Sequence, residues 1–260
     1  MDLQLKDRVV LVTGGASGIG AAIVRSLVQE GGAAAIVDQC EETARTLQLE
    51  LQALGGPVLV IGADVTSCGN CRRAVDETLR RFQRLDALVN NAGVNDRVGL
   101  EKGSPEEFVA SLERNLFHYY NMAHYALPAL KEAHGTIINI ASKTALTGQG
   151  GTSGYASAKG AILALTREWA VELVPHNIRV NAIVPAEVMT PGYQHWLETF
   201  PDPETKLSNI MSRIPLGRRM TAPEEIAAAA LFLISCRSGH MTGQHVFVDG
   251  GYVHLDRALT

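Results

Sequence analysis

The sequence predicts a doubly wound α/β fold, in which helices cover both faces of a parallel sheet. Short apolar runs rich in β-branched residues alternate with segments of helical period along all 260 residues. A glycine-rich turn directly follows the first of these runs. This alternation implies right-handed β-α-β units. No linker-like composition interrupts it, so we expect one domain spanning residues 1–260.

The apolar runs fix the predicted strands in chain order. The first run shows no polar alternation, as expected of a strand buried on both faces. Strands are predicted at 8–13, 33–38, 57–65, 85–93, 135–142, 177–185 and 244–250. Helices are predicted between these strands. The first spans 19–27, the next three end at residues 54, 82 and about 131, and the last two span 153–174 and 223–234. One helix is therefore expected to run from the fourth strand to residue 131.

One interval, 186–215, departs from this regular alternation. Its weak helical patterns are interrupted by Pro191, Gly192, Pro201 and Pro203. An insertion after a late strand lies over the carboxyl ends of the sheet, where ligands of α/β proteins bind. We therefore predict that 186–215 is a substrate lid.

Composition excludes several classes of partner. The net charge of −4 provides no basic face for nucleic acid, and no apolar run approaches the roughly 18 residues of a membrane span. Charged residues at Asp2, Lys6 and Asp7 leave no room for a signal peptide, so the cytoplasm is expected. Cys68 and Cys71 form a C-x-x-C, the spacing of a redox pair or of half a zinc site, but no second cysteine or histidine pair at ligand spacing accompanies it, and the segment fits the start of a surface helix. We expect no bound metal.

The glycine-rich turn predicts a dinucleotide phosphate site. Glycines there let the backbone approach a pyrophosphate that faces the N–H groups of the next helix. The turn residues assigned to this site are Gly14, Ser17, Gly18, Ile19 and Gly20. Asp38 ends the second strand, where a carboxylate accepts hydrogen bonds from the adenosine ribose and repels a 2′-phosphate. The nearest cation, Arg45, is expected two turns into the next helix, too far to offset this repulsion. NAD is therefore favoured over NADP.

Tyr155 and Lys159 are four residues apart on a predicted helix, so their side chains share one face. An ammonium near a phenol is expected to lower the phenol pKa toward working pH, which would make Tyr155 a base for a substrate alcohol. Ser142 ends the preceding strand, where its hydroxyl could hold the substrate oxygen. Asn115 lies within a predicted helix, an unfavourable position unless its amide is used.

Together these motifs resemble the short-chain dehydrogenase/reductase family. They are T-G-x-x-x-G-x-G at 13–20, N-N-A-G at 90–93, Asn115, Ser142 and Y-x-x-x-K at 155–159. The resemblance covers essentially the whole chain. It implies a Rossmann-type sheet of seven parallel strands, a homotetramer, and a catalytic tetrad of Asn115, Ser142, Tyr155 and Lys159. In the tetrad Tyr155 transfers the proton, Lys159 also holds the nicotinamide ribose, and Asn115 keeps a relay water.

The same resemblance implies further cofactor contacts. They fall on Asp64, Val65, Asn91, Ala92, Gly93, Pro185, Val188 and Thr190. The family commonly has Pro-Gly where this chain has Pro185-Ala186, which leaves the geometry of that loop open. The final residues, 252–260, are long enough to reach a neighbouring subunit.

The pocket candidates predict a polar substrate. The side chains expected to project from the loops are Asn95, Asp96, Lys143, Gln149, Thr152, Glu187, Tyr193, His195 and Trp196. A sugar requires hydrogen-bonding groups and ring faces, whereas a steroid or acyl chain requires an apolar lining. Glu187 is expected to accept bonds from two neighbouring hydroxyls. Among these, Asn95, Lys143, Gln149, Glu187, Tyr193 and Trp196 are the predicted substrate residues.

Six segments resemble bacterial L-fucose dehydrogenases, which oxidise the C1 hydroxyl of the pyranose to a lactone. They are 90–96, 111–125, 142–150, 165–173, 185–191 and 248–259. The resemblance implies oxidation at C1 of L-fucose or of an aldose of matching stereochemistry such as D-arabinose or L-galactose. Some members of this subgroup resemble NADP enzymes, whereas this chain has Asp38, which favours NAD. Two alternatives stay open, namely an NAD(P)-dependent reductase of 3-oxoacyl or hydroxysteroid substrates, and a non-catalytic dinucleotide-binding protein.

Overall fold

Seven parallel strands form the centre of the molecule. The computed structural model describes residues 2–255, so the last residues of the 248–259 segment and of the tail at 252–260 lie outside it. The strands are β1 Val9–Thr13, β2 Ala33–Asp38, β3 Val58–Gly62, β4 Ala87–Asn90, β5 Thr136–Ile140, β6 Arg179–Pro185 and β7 His245–Val248. Their order across the sheet is β3-β2-β1-β4-β5-β6-β7, which confirms the predicted doubly wound fold.

Helices cover both faces of this sheet. They are α1 Gly18–Gln29, α2 Glu41–Ala53, α3 Cys68–Phe82, α4 Pro105–Leu112, α5 His118–Ala133, α6 Ser153–Leu173, α7 Pro191–Leu197, α8 Pro203–Met211 and α9 Pro223–Ile234. Successive residues of β1 point to opposite faces, so Leu11 packs in the core with α3, α5 and α6. Val10 and Val12 pack in the second core with α1, α2 and α9. Burial on both faces explains the unbroken apolar runs.

The chain reverses its winding between β1 and β4, and a crevice opens there at the carboxyl ends of the strands. Thr13 ends β1, and its Oγ1 accepts the N–H groups of Asn91 at 2.9 Å and Ala92 at 3.1 Å. The Asn91 amide in turn donates to the Gly14 carbonyl at 3.0 Å. The N-N-A-G segment therefore holds the glycine turn in place.

The helix predicted from the fourth strand to residue 131 is wrong in its first part. Residues 91–104 form a loop, and α4 begins only at Pro105, where the N-cap Ser104 and Glu107 make a reciprocal capping box. A π-helical segment, Glu113–Phe117, separates α4 from α5. The apolar period continues through this segment, so periodicity alone did not reveal the break.

The interval predicted as a lid contains two short helices. Pro191 and Pro203, two of the three prolines that suggested interruption, instead occupy the first positions of α7 and α8, where a missing N–H costs nothing. Pro201 lies between the two helices. Thr190 and Asp202 cap these helices, since each side chain accepts a backbone N–H three residues later. The interval is thus ordered structure placed over the carboxyl edge of the sheet.

The cysteines are all thiols. Cys68 begins α3 at the surface, as predicted, while Cys71 is buried and its Sγ donates to the Val65 carbonyl at 3.2 Å. Burial raises the pKa of Cys71 to about 12. Within residues 2–255 no helix is both long and apolar enough to cross a membrane, and no three His, Cys, Asp or Glu side chains are grouped to hold a metal ion.

Candidate active site

A cleft of about 480 Å³ opens at the crevice between β1 and β4. It runs from the end of β2 to Tyr155 and Lys159 on α6. The residues predicted to contact a dinucleotide that line it are Gly14, Ser17, Gly18, Ile19, Asp38, Asp64, Val65, Asn91, Ala92, Gly93, Pro185, Val188 and Thr190. The fold therefore brings together side chains that are up to 176 positions apart in the sequence.

The glycine turn is shaped for close approach. Gly14 and Gly18 have φ angles of +62° and +53°, a region that favours glycine. A Cβ on Gly18 would lie 3.2 Å from the Thr190 side chain. Gly20 was predicted to contact the cofactor, but it does not line the cleft. It is needed for packing instead, because a Cβ at this position would lie 2.1 Å from the Gly14 carbonyl oxygen.

The start of α1 is suited to an anion. Its N-cap, Ser17, makes no side-chain capping bond, and the first turn contains no acidic residue. The first N–H groups of the helix are therefore not capped by a side chain, and the positive end of the helix dipole faces the cleft. Together with the glycine turn, this fits the pyrophosphate of a dinucleotide.

Asp38 stands at the other end of the cleft. Its carboxylate accepts the backbone N–H of Ala16 at 3.0 Å and that of Cys40 at 2.9 Å. Each oxygen retains a lone pair for a ribose hydroxyl. Arg45, the neighbouring cation considered for a 2′-phosphate, is paired with Glu41 instead.

Ser142 and Tyr155 meet at the inner end of the cleft. Ser142 follows β5, and its hydroxyl accepts the Thr144 N–H at 3.2 Å and bonds to the Tyr155 phenol. Burial raises the pKa of Tyr155 to about 12, and the bond from Ser142 acts in the opposite direction. The expected lowering of the Tyr155 pKa is therefore wrong for the chain by itself, because desolvation of the phenolate outweighs stabilisation.

Lys159 lies beneath Tyr155, with its Nζ 5.5 Å from the centre of the Tyr155 ring. The side chain is buried and donates to the Ile140 carbonyl at 2.8 Å and to the Tyr119 hydroxyl at 3.0 Å. Burial lowers the pKa of Lys159 to about 7. A lysine lowers a neighbouring pKa only while it is charged, so the same burial weakens its effect on Tyr155 near neutral pH.

Asn115 lies in the π-helical segment, fully buried and behind the cleft rather than in its lining. Its Oδ1 accepts the Val94 N–H at 2.8 Å, and its Nδ2 donates to the Ser111 carbonyl at 3.0 Å. The amide is thus used, as its unfavourable helical position suggested. Both ends of the side chain hold backbone, which fixes the loop carrying Gly93 next to Lys159.

A second cavity, of about 1100 Å³, adjoins the cleft and shares Ser142 and Tyr155 with it. We call it the outer cavity. All six predicted substrate residues, and Thr152, are among its lining: Asn95, Lys143, Gln149, Thr152, Glu187, Tyr193 and Trp196. Two other candidates lie elsewhere, since Asp96 bonds Ser111 and Arg114 while His195 is exposed beside Glu198.

A polar network forms part of the wall of the outer cavity, which Tyr155 also lines. Lys143 and Glu187 make an ion pair, and the Tyr193 hydroxyl donates to the second Glu187 oxygen at 2.8 Å. The Lys143 Nζ also lies 4.0 Å from the centre of the Tyr252 ring. Each Glu187 oxygen thus already has one protein partner. Each therefore keeps one lone pair that can accept a hydrogen bond from a substrate hydroxyl.

Several functional positions were missed from the sequence. The outer cavity is also lined by Arg97, Phe200, Lys206, Asn209, Ile210, Arg213 and Tyr252. Arg97 and Lys206 both lie over the Trp196 ring, at 5.5 and 5.7 Å from its centre. Tyr119 was missed as a partner of Lys159, although its spacing of four residues from Asn115 places both on one helix face.

Comparison with known proteins agrees with this geometry. A family model described as enoyl-(acyl carrier protein) reductase matches residues 14–253. The L-fucose dehydrogenase of Mus musculus is 40% identical over 249 residues, covering 95% of this chain and 89% of that protein. The 3-oxoacyl-[acyl-carrier-protein] reductase FabG of Thermotoga maritima is 35% identical over 252 residues, covering 96% and 100%.

Two solved structures extend the comparison. The dehydrogenase Cj0485 is 45% identical with a TM-score of 0.95, covering 100% of this chain and 99% of that one. The 3-ketoacyl-(acyl-carrier-protein) reductase of Brucella melitensis, complexed with NADH, is 31% identical with a TM-score of 0.86, covering 96% and 100%. The chain therefore belongs to the short-chain dehydrogenase/reductase family.

As a member of this family the chain is an oxidoreductase that binds NAD(H) or NADP(H). One expectation requires correction. The relatives named L-fucose dehydrogenase come from Bos taurus, Mus musculus, Rattus norvegicus and Oryctolagus cuniculus, so the resemblance to these enzymes is not specific to bacterial ones. A FabG protein is about as similar to the chain as they are.

Proposed function

We propose that this enzyme oxidises the C1 hydroxyl of L-fucose, or of a related aldose such as D-arabinose or L-galactose, to the lactone with NAD. The observation that carries the proposal is the Lys143–Glu187–Tyr193 network in the cavity that Tyr155 also lines. An ammonium, a carboxylate and a phenol in one wall of the outer cavity offer donors and acceptors to adjacent hydroxyls. The rings of Trp196 and Tyr252 supply flat apolar surface for the C–H face of a pyranose.

The reaction follows from the groups around the shared end of the two cavities. The Ser142 hydroxyl and Tyr155 oxygen would both contact the C1 hydroxyl, and Tyr155 in its deprotonated form would remove the hydroxyl proton. Bound NAD⁺ supplies the acceptor for the hydride that leaves C1. Lys159, held behind Tyr155, would donate a hydrogen bond toward the cleft and favour the phenolate while it is charged.

Asp38 supports NAD rather than NADP as the cofactor. Its carboxylate is fixed by two backbone N–H groups at the end of the cleft, where the adenosine ribose of a dinucleotide would lie. A 2′-phosphate would meet this negative charge, and Arg45 is engaged by Glu41. A relative that binds NADP would need a cation near the position of Asp38 to hold the 2′-phosphate.

A 3-oxoacyl reductase is the second candidate, and the FabG relative favours it. An acyl chain would gain most from an apolar wall, whereas the wall of the outer cavity carries an ion pair. The same argument disfavours a hydroxysteroid. A non-catalytic dinucleotide-binding protein is disfavoured because Ser142, Tyr155 and Lys159 are all present and converge on the cleft.

We propose that α7 and α8, within 186–215, act as a lid, because Glu187, Tyr193 and Trp196 reach the outer cavity from this interval.

We also propose a homotetramer in the cytoplasm. Exposed apolar side chains on the α5 and α6 side, Phe117, Tyr120 and Val171, support a subunit contact, and reduced cysteines suit that compartment.

Deuterium at C1 tests the proposal directly. With L-fucose carrying deuterium at C1 and excess NAD⁺, we expect deuterium in the NADH formed and stoichiometric lactone, trapped as the hydroxamate. Retention of deuterium in the sugar product would place the oxidation at another hydroxyl. In a parallel assay, 3-oxoacyl thioester reduction with NADPH that exceeds sugar oxidation would favour the second candidate.

A further inference from the structure

The Tyr119 hydroxyl lies directly behind Lys159, outside the tetrad that the family resemblance implies. Tyr119 is fully buried at the start of α5. Its oxygen accepts a hydrogen bond from Lys159 Nζ at 3.0 Å and donates one to the Ile140 carbonyl at 2.8 Å. Lys159 donates to the same carbonyl at 2.8 Å. The three groups therefore form a closed hydrogen-bonded triangle beneath the cleft.

This triangle fixes the direction of each bond. The hydroxyl hydrogen of Tyr119 is committed to Ile140, so toward Lys159 the oxygen can act only as an acceptor. An ammonium has three N–H donors, and two of them are used in the triangle. The third remains for the cleft, which Lys159 also lines, next to Gly93.

We propose that Tyr119 is a positioning residue whose hydroxyl holds Lys159 protonated in its buried site and aims its remaining N–H at the cleft. The inference rests on the assignment of the cleft to a nicotinamide dinucleotide, which is part of the proposed function. It does not depend on the sugar. Without the Tyr119 oxygen, the buried ammonium would lose one of two protein acceptors and would release its proton at lower pH.

The neighbouring groups leave Lys159 as the residue that titrates near neutral pH. Tyr155 on α6 faces it with a pKa raised to about 12 by burial. Burial, with the charge of Tyr155, raises the pKa of Tyr119 well above the ordinary tyrosine value, so Tyr119 is not a base itself. His118 on α5 has its pKa lowered to about 4 by burial and by the charge of Lys159, and stays neutral. Burial brings the pKa of Lys159 to about 7.

NADH affinity measured by fluorescence from pH 5.5 to 9.5 tests the proposal without any sugar. In the wild type we expect the affinity to fall as Lys159 loses its proton. Tyr119→Phe should move the midpoint of this fall about one pH unit lower, which corresponds to up to about tenfold weaker binding between the two midpoints. Tyr125→Phe removes a hydroxyl from the same helix, at a site bonded to Cys68, and should match the wild type.

Two further variants separate positioning from a purely structural role. Tyr119→3-fluorotyrosine keeps the shape with a weaker acceptor and should move the midpoint by less, in the same direction. Adding Tyr119→Phe to Lys159→Met should not weaken NADH binding further. An unmoved midpoint, a flat wild-type profile or an additive loss in the double variant would overturn the proposal. Absence of sugar oxidation with the expected midpoints would instead contradict only the proposed substrate.

Discussion

Lys143 and Glu187 form an ion pair across the wall of the outer cavity, joining the residue after Ser142 to the segment that follows β6. Both side chains are largely shielded from solvent, and the Tyr193 hydroxyl donates a hydrogen bond to the second carboxylate oxygen. Removal of either partner leaves the other charge poorly solvated. The pair thus links the substrate wall to the proposed lid through a contact that requires both residues.

Glu187→Gln should reduce kcat/KM for the aldose about 10- to 100-fold, because hydrogen bonds to a charged acceptor are replaced by weaker ones. The KM for NAD⁺ should change little, since Glu187 lines the outer cavity rather than the cleft. Steady-state kinetics with each substrate varied in turn make the comparison. Glu198→Gln, an exposed change just after α7, is the matched control, and an equal loss in both variants would contradict the assigned role.

Tyr155→Phe should lower kcat for oxidation by about 10² to 10⁴, the usual contribution of a positioned acid or base. NADH binding should be nearly intact, because the change removes a hydroxyl and leaves the ring beside Lys159. Stopped-flow turnover and fluorescence titration of the same preparation give both quantities. Turnover within a few-fold of the wild type would remove Tyr155 from the role of base.

Asp38→Ala should raise the ratio of kcat/KM for NADP⁺ over NAD⁺ by about tenfold or more, since a like-charge repulsion and a ribose acceptor are both lost. The change also removes the acceptor of the Ala16 and Cys40 N–H groups. Asp38→Asn, which keeps one carbonyl oxygen, controls for this loosening of the glycine turn. If neither variant changes the ratio, Asp38 does not select the cofactor.

Lys159→Met should stabilise the fold while abolishing activity. Burial lowers the folded-state pKa of Lys159 to about 7, so below pH 7 the native chain pays for a buried ammonium that the unfolded chain exposes to water. This destabilisation disappears as pH rises from about 7 to the ordinary lysine pKa near 10.5. The gain in unfolding free energy should be about 2 to 4 kcal/mol at pH 6 and much smaller at pH 10.

Denaturant unfolding of both proteins at the two pH values measures this difference. Arg167→Met, at an exposed cation on the same helix that reaches His245, is the control. A Lys159→Met variant that is less stable than the wild type at pH 6 would show that the bonds to Ile140 and Tyr119 outweigh the cost of burial.

Much of the fold and the cleft could be predicted because their signals are local. A few neighbouring residues are enough to indicate each of three features, namely the apolar run of β1, the glycine turn and Asp38. The outer cavity was predicted residue by residue from loops that end at one sheet edge. The ion pair between Lys143 and Glu187 was not predicted, because nothing in either local sequence indicates a partner 44 residues away.

The π-helical segment was missed because it interrupts a helix whose apolar period continues through it. Two other misses share a physical cause, which is burial. The direction of the Tyr155 pKa depends on how deeply the phenol and Lys159 are covered, and spacing alone reports only that they share a face. Tyr119 was missed for the same reason, because a buried tyrosine normally indicates packing.

The central claim is that the cleft and outer cavity together make an NAD-dependent aldose dehydrogenase. The most direct test is the initial rate of NAD⁺ reduction, with NADP⁺ in parallel, across aldoses that include L-fucose, D-arabinose, L-galactose and their C2 to C4 epimers. We predict turnover of the first three with a clear preference for NAD⁺. No turnover of any aldose by a preparation that binds NADH, together with reduction of a 3-oxoacyl thioester, would contradict the account.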